Sequence, residues 1–162
     1  MLQRIQTVYL MIVAMLCIAG FFSPLATFYN GAVGVAQFSN WYFSTNATPL
    51  NDLQSVAPCA LGALLVIVFL LTVMTIMLFN YRMRQLRLII VSTILLIGHV
   101  ALMALLVAKF NMEIQAVKEF QMCDFSVRFA GIFPLISIIF NLLAIHGIRK
   151  DERLVRSLDR LR

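Results

Sequence analysis

The amino-acid sequence predicts an all-α membrane protein: a bundle of four transmembrane helices with a small external cap and an amphipathic cytoplasmic helix at the carboxyl terminus. Of the 162 residues, 62% are hydrophobic and only 12% are charged, against about 45–50% and about 25% in soluble domains. The mean hydropathy is +0.93. A domain of this size cannot bury so much apolar surface in water, so lipid is the expected solvent.

Four apolar runs divide the chain, and none contains Asp, Glu, Lys or Arg. Each is close to the ~20 residues that cross the hydrocarbon of a bilayer. Helices are expected throughout, because lipid cannot satisfy open backbone groups. The predicted spans cover about residues 5–29, 57–79, 88–108 and 129–148 of a bundle domain at 1–148, followed by a tail at 149–162.

Basic residues near the helix ends predict the orientation. The amino terminus, the second loop and the tail together carry ten Lys and Arg, whereas the first and third loops carry three. Cytoplasmic segments are enriched in these residues, so both termini are expected in the cytoplasm. The net charge of +6 is explained by these flanking residues, and no basic stripe interleaved with aromatics indicates a nucleic-acid partner.

The two longer loops, at 30–56 and 109–128, are predicted to lie outside. Residues 110–115 alternate apolar and polar side chains, which is typical of a strand. The sequence therefore predicts a small external sheet of short β-strands built from both loops. An interfacial helix at 112–122 is the competing interpretation.

The carboxyl-terminal tail has the pattern of an amphipathic helix, in which apolar side chains recur every three or four residues. Such a helix can dock on the membrane surface or on a protein partner. The candidate docking residues are Leu154, Leu158 and Leu161 on the apolar face and Arg153 and Arg156 beside it.

Polar residues inside the spans are the candidate functional groups, since such residues are rare in membranes. Counted from the cytoplasmic end of each helix, four of them fall at heights of ~11–17 Å and could form one intramembrane polar layer. This layer could relay a proton or a substrate, or it could hold helices together by hydrogen bonds. Its members are His99, Ser137, Asn141 and Thr72.

No cofactor or metal is expected. The chain has two histidines, and His99 and His146 differ in height by about 14 Å, too far to share an ion. The spans also lack carboxylates and the chain lacks a metal-ligand cluster or a basic substrate clamp, so no catalytic constellation is present and an enzyme is not expected.

Two of the three cysteines, Cys59 and Cys123, fall on the external side of the predicted spans. There they could form a disulfide if their Cα atoms approach within ~7 Å, or remain as two thiols. Cys17 falls in the middle of the first span, where a small packing residue is expected.

The two ends of the chain resemble a known family. The segments RIQTVYL at 4–10 and IRKDERLVRSLDRLR at 148–162, with FPLISIIFNLLAIHGIRKDE in the fourth span, are similar to an uncharacterised four-span membrane protein family of the Bacteroidota, catalogued as a domain of unknown function. The resemblance implies four spans in a bacterial inner membrane and implies no activity.

The function that remains is a non-enzymatic integral membrane protein, a scaffold or an accessory subunit acting through its cytoplasmic face. Its expected partners are the bilayer and either another protein at that face or further copies of the chain. The alternative is a protein that handles a small solute or a lipid with the polar layer around His99.

Overall fold

The computed structural model describes residues 2–30, 33–45, 59–78, 81–116 and 124–159. Four long helices make the bundle: α1 at Leu2–Phe22, α2 at Cys59–Met77, α3 at Arg82–Ala116 and α4 at Phe133–Asp159. Each is long and apolar enough to cross a membrane, which indicates a multi-pass membrane protein. Around the bundle, α1 packs between α2 and α4, and α3 packs between the same two helices on the other side.

A four-stranded antiparallel sheet lies at one end of the bundle. Its strands are β1 at Ala26–Asn30, β2 at Val33–Phe38, β3 at Phe43–Thr45 and β4 at Asp124–Val127, in the order β3-β2-β1-β4. The first three come from the loop after α1 and the fourth comes from the segment before α4. The predicted sheet built from both loops is therefore confirmed.

The first predicted span, at 5–29, was wrong at its end. Helix α1 stops at Phe22, and the last residues of the apolar run form β1 instead. Pro24 lacks the N–H that a continuing helix needs. The apolar run continues past it because Ala26 and Phe28 in β1 are fully buried against the bundle, so one uninterrupted stretch of apolar residues serves two elements.

The strand predicted at 110–115 was wrong, and the helix of the third predicted span, at 88–108, extends beyond both ends of that span. Helix α3 is 35 residues long and continues through this segment to Ala116. Met103, Val107 and Phe110 recur every three or four residues and pack toward the sheet, so helical periodicity outweighs the short alternation. Part of the competing segment, 117–122, lies outside the described residues.

The projecting end of α3 supports the sheet through an aromatic core. The ring of Phe110 stacks on Phe43 at 4.7 Å between centroids, with an interplanar angle of 4°. The same ring lies 5.4 Å from Phe38. All three side chains are buried, together with Phe28 in the middle of β1. The sheet therefore has a hydrophobic core of its own above the bundle.

Helix α4 begins after a short 3-10 turn at Phe129–Ile132 and runs without a break to Asp159. Pro134 falls in its first turn, where the missing N–H has no helical partner to lose. The backbone of the predicted tail is thus helical as far as Asp159, while Leu161 lies outside the described residues.

Candidate functional site

The turn between β2 and β3 joins the sheet to the bundle, and Asn40 is its central residue. The side-chain Nδ2 of Asn40 donates a hydrogen bond of 2.7 Å to the carbonyl of Gly20, in the last turn of α1. Its own carbonyl accepts a 3.0 Å hydrogen bond from the N–H of Gly62, in the first turn of α2. Backbone groups at helix ends have no partner within the helix. Asn40 therefore satisfies one carbonyl at the end of α1 and one N–H at the start of α2.

Close approach of this turn to α2 depends on Gly62. A Cβ at that position would lie 2.9 Å from the Asn40 carbonyl oxygen and 3.0 Å from two ring atoms of Trp41. The Trp41 ring also packs edge-on against Phe21 of α1, with centroids 4.8 Å apart. A glycine in α2 therefore lets a backbone carbonyl and an indole rest directly on the helix.

His99 is buried at the same level of the bundle. Its side chain is 0% exposed, and the backbone of Leu61 lies next to its ring. Apart from this contact with the Leu61 backbone, no described residue hydrogen-bonds to either ring nitrogen, and Oδ1 of the buried Asn40 has no partner among the described residues. An unpaired buried acceptor costs ~1–3 kcal/mol, so Oδ1 of Asn40 is a buried acceptor that is available to a polar ligand.

The other members predicted for the polar layer do not join His99 in a hydrogen-bonded set. The hydroxyls of Thr72 and Ser137 donate to carbonyls of their own helices, those of Val68 and Phe133. Thr72 lies eleven residues along α2 from Leu61, a rise of about 16 Å. The side chains of His99, Thr72 and Ser137 are all buried, but His99 and Thr72 lie at different heights along the bundle.

Asn141 connects two helices through a residue that the sequence did not single out. Its Nδ2 donates a 3.2 Å hydrogen bond to Oγ of Ser92 on α3. Ser92 lies seven residues from His99, about 10 Å along the helix. Since Oδ1 of Asn141 has no partner among the described residues, the bundle contains a second buried amide with an open acceptor. The sequence does not indicate this pair, because Ser92 is a small polar residue within an apolar run.

The cysteines remain only partly placed. Cys59 is exposed, and its Sγ lies 3.8 Å from the carbonyl oxygen of Trp41. Cys123 lies outside the described residues, so its pairing with Cys59 stays a prediction. Cys17 is buried in the middle of the bundle beside Val13 and Leu65. In the described part of the chain, no group of three His, Cys, Asp or Glu side chains could hold a metal ion.

The tail residues Leu154, Leu158, Arg153 and Arg156 all lie on α4, and their docking stays a prediction.

A family model described as a domain of unknown function, DUF4293, matches residues 2–161. The chain belongs to this family. No curated protein matches it. Because the match to DUF4293 runs from α1 past the end of α4, the sheet, the turn at Asn40 and the tail are all parts of the family domain. The family description assigns no activity to them.

Proposed function

We propose that this DUF4293 protein is a non-enzymatic scaffold or accessory subunit of a bacterial inner membrane, with both termini in the cytoplasm, that engages a partner through the end of α4. The proposal rests on one observation, the length of α4. Its 27 residues extend for about 40 Å, whereas the hydrocarbon of a bilayer is ~30 Å thick.

Two contacts between helices show how far the carboxyl-terminal end of α4 extends beyond the ends of α1 and α3. Gly147 packs on the side chain of Gln6, so α4 continues twelve residues beyond this level and α1 only four. The rise per residue converts the difference to about 12 Å. The hydrogen bond between Asn141 and Ser92 gives the same overhang relative to the start of α3 at Arg82. About two turns of α4 thus stand beyond the rest of the described helices.

The sequence of this overhanging part supports docking over simple solvation. It carries Leu154 and Leu158 at helical spacing, with Leu161 one turn further. A helix whose leucines recur on one face needs a surface to cover them. By helical spacing, Arg153 borders that face and Arg156 falls on the opposite side of the helix. Each basic residue near an anionic surface contributes about 1 kcal/mol. A protein partner would depend chiefly on the leucines, and a lipid surface chiefly on the arginines.

The test compares two double variants in native membranes. We expect Leu154→Ser/Leu158→Ser to abolish recovery of a stoichiometric cross-linked partner and to expose the tail to protease. The matched variant Arg153→Gln/Arg156→Gln, which alters the same two turns, should retain both properties. Unchanged partner recovery and protease protection in the leucine variant would refute the proposal and leave the tail as a topology anchor.

The alternative function, handling of a small solute or lipid at His99, draws support from the full burial of this side chain, which makes no side-chain hydrogen bond within the described residues and contacts the backbone of Leu61. The same cells can test it with His99→Leu. If His99→Leu abolishes cellular function while both tail variants retain it, the alternative replaces the scaffold proposal.

A further inference from the structure

The face of α4 that packs on α1 can be followed along the bundle from the sheet toward the other end. Near the sheet, a Cβ added to Gly20 of α1 would lie 3.7 Å from the ring of Phe133. At the other end, a Cβ added to Gly147 of α4 would lie 3.2 Å from Cγ of Gln6. The two contacts are fourteen residues apart on both helices, so α1 and α4 run antiparallel and side by side for about 21 Å.

The contact residues on α4 recur every seven positions. Phe140 lies midway between the two contacts, and its ring centroid lies 6.0 Å from that of Tyr9 on α1. The next member of the series after Gly147 is Leu154. By helical geometry, Leu154 falls about 20° to one side of Gly147 around the helix, and Leu158 falls about 20° to the other side.

The positions of Leu154 and Leu158 define a leucine face, which continues the α1 contact at a level that α1 does not reach. Helix α1 begins at Leu2, four residues beyond its contact with Gly147. On α4, the two leucines stand seven and eleven residues beyond the same contact. The face that packs on α1 within the bundle therefore continues past the start of α1, and it offers a further helix the same seven-residue packing.

The arrangement of the bundle decides which kind of molecule can lie there. The leucine face is directed over the start of α1 and not outward from the bundle, so the surrounding bilayer does not cover it. Helix α4 runs unbroken to Asp159, and a second copy in the same membrane carries an identical helix. Laid in line with α1, that helix would continue into the bilayer and collide with α1. The occupant is therefore a helix that approaches from the aqueous side.

The charge at this end of the bundle favours an acidic occupant. Lys150 falls about 60° from Gly147 around the helix, beside the leucine face, and it is exposed. Arg84 and Arg87 on the neighbouring α3 are also exposed. Residues 149–162 carry six basic and three acidic side chains. Complementary charge attracts an acidic helix to this end and like charge repels a basic one.

We propose that the leucine face binds an acidic amphipathic helix of a cytoplasmic protein, which packs along α4 in line with α1. The apolar residues of the bound helix recur every three or four positions, as in other helices that dock in apolar grooves, and its Asp and Glu residues lie beside them. This proposal rests on the function proposed above, because it needs the end of α4 in the cytoplasm, and it names the class of partner.

The test uses the full-length protein in nanodiscs of phosphatidylcholine, which carries no net charge, and two labelled helical peptides of about three heptads. Both peptides have leucine at heptad positions a and d. One has Glu at positions e and g, and the other has Lys there. Fluorescence anisotropy measures the affinity of each peptide. We expect the Glu peptide to bind at least about tenfold more tightly than the Lys peptide, and added salt should reduce this preference.

Variants of α4 locate the bound peptide. Leu154→Ser/Leu158→Ser should weaken binding of the Glu peptide by about tenfold or more. The matched control is Arg156→Gln, on the opposite side of α4 from Gly147, and it should change the affinity by less than about fivefold. A photoreactive residue at position 154 should cross-link to the Glu peptide, and the same residue at position 156 should not. Because both leucines lie past the bundle, their variant should melt at the wild-type temperature.

Three outcomes overturn the proposal. The first is equal binding of the Glu and Lys peptides, and the second is unchanged binding of the Glu peptide by the leucine variant. If recovery of the native partner still depends on the leucines, the scaffold proposal survives both results. The third is a cross-link from position 154 between two copies of the chain in native membranes, which assigns the leucine face to self-association. Failure of the scaffold proposal is recognised separately, by partner recovery and protease protection that do not change in the leucine variant.

Discussion

At the scale of single residues, two glycines in the spans have opposite environments. Gly62 in α2 lies under Asn40 and Trp41, where an added Cβ would meet a backbone oxygen at 2.9 Å. Gly98 in α3 has no neighbouring atom within 4 Å of such a Cβ. Packing therefore requires a glycine at position 62 only. Gly98 lowers the stability of its helix, and no contact within 4 Å requires it.

We predict that Gly62→Ala lowers stability by ~1–3 kcal/mol, because an overpacked contact with a backbone atom can be relieved only by moving the turn. Gly98→Ala is the matched control. It should leave stability unchanged or raise it by up to ~1 kcal/mol, since alanine favours a helix. Thermal unfolding in detergent, followed by circular dichroism, provides the comparison. Equal melting temperatures for the two variants would contradict the packing assigned to Gly62.

The sequence identified some of these residues and missed others. Rarity inside an apolar run was enough to single out His99, Asn141 and Ser137. It did not identify their partners, because hydrogen bonding across helices depends on the relative rotation and height of two elements. Asn40 was missed since it lies in a loop, where asparagine is common. Its role follows from the fold, which places the end of α1 and the start of α2 within hydrogen-bonding distance of Asn40.

At the scale of elements, α3 is the helix that packs both within the bundle and against the sheet. Its lower part packs between α2 and α4, and its upper part forms the floor of the sheet. Helix existence was predictable for every span, because long apolar runs have one solution in lipid. Boundaries were not. The end of a helix cannot be located from hydropathy where an apolar strand follows it, as after Phe22, or where the helix continues as an amphipathic extension, as before Ala116.

We predict that Phe110→Ala detaches the sheet from α3. The side chain is 0% exposed and stacks on Phe43, and removal of a buried phenyl group costs ~3–5 kcal/mol. Met112, two residues further along the same helix, is 72% exposed, so Met112→Ala should have little effect. Hydrogen exchange of the β1 and β2 amides measures the difference. Unchanged protection in Phe110→Ala would show that the sheet does not depend on this contact.

At the scale of the whole molecule, the two ends of the bundle differ in charge and in structure. Arg84 and Arg87 on α3 lie at the same end as Arg149 and Lys150 on α4, because antiparallel helices joined by the Asn141–Ser92 hydrogen bond fix their relative heights. The sheet and the projecting part of α3 occupy the other end. The exposed Tyr42 and the exposed ring of Phe129 lie on the sheet side, as aromatics do at membrane interfaces.

We therefore predict that the sheet lies in the periplasm. Ten basic residues flank the end of the bundle opposite the sheet, against three on the side of the sheet, and this bias favours a cytoplasmic location for the basic end. Reporter fusions at Ala47 and Gln115 should read as periplasmic, whereas fusions at Arg84 and after Arg162 should read as cytoplasmic.

Because a fusion can itself alter topology, single cysteines in a variant without native thiols offer an independent measurement. Ser44→Cys in β3 should react with a membrane-impermeant maleimide in intact spheroplasts, and Lys150→Cys should react only after lysis. A cytoplasmic signal at Ala47, with Ser44→Cys unreactive until lysis, would invert the orientation. It would place the overhang of α4 in the periplasm and remove the basis for a cytoplasmic partner.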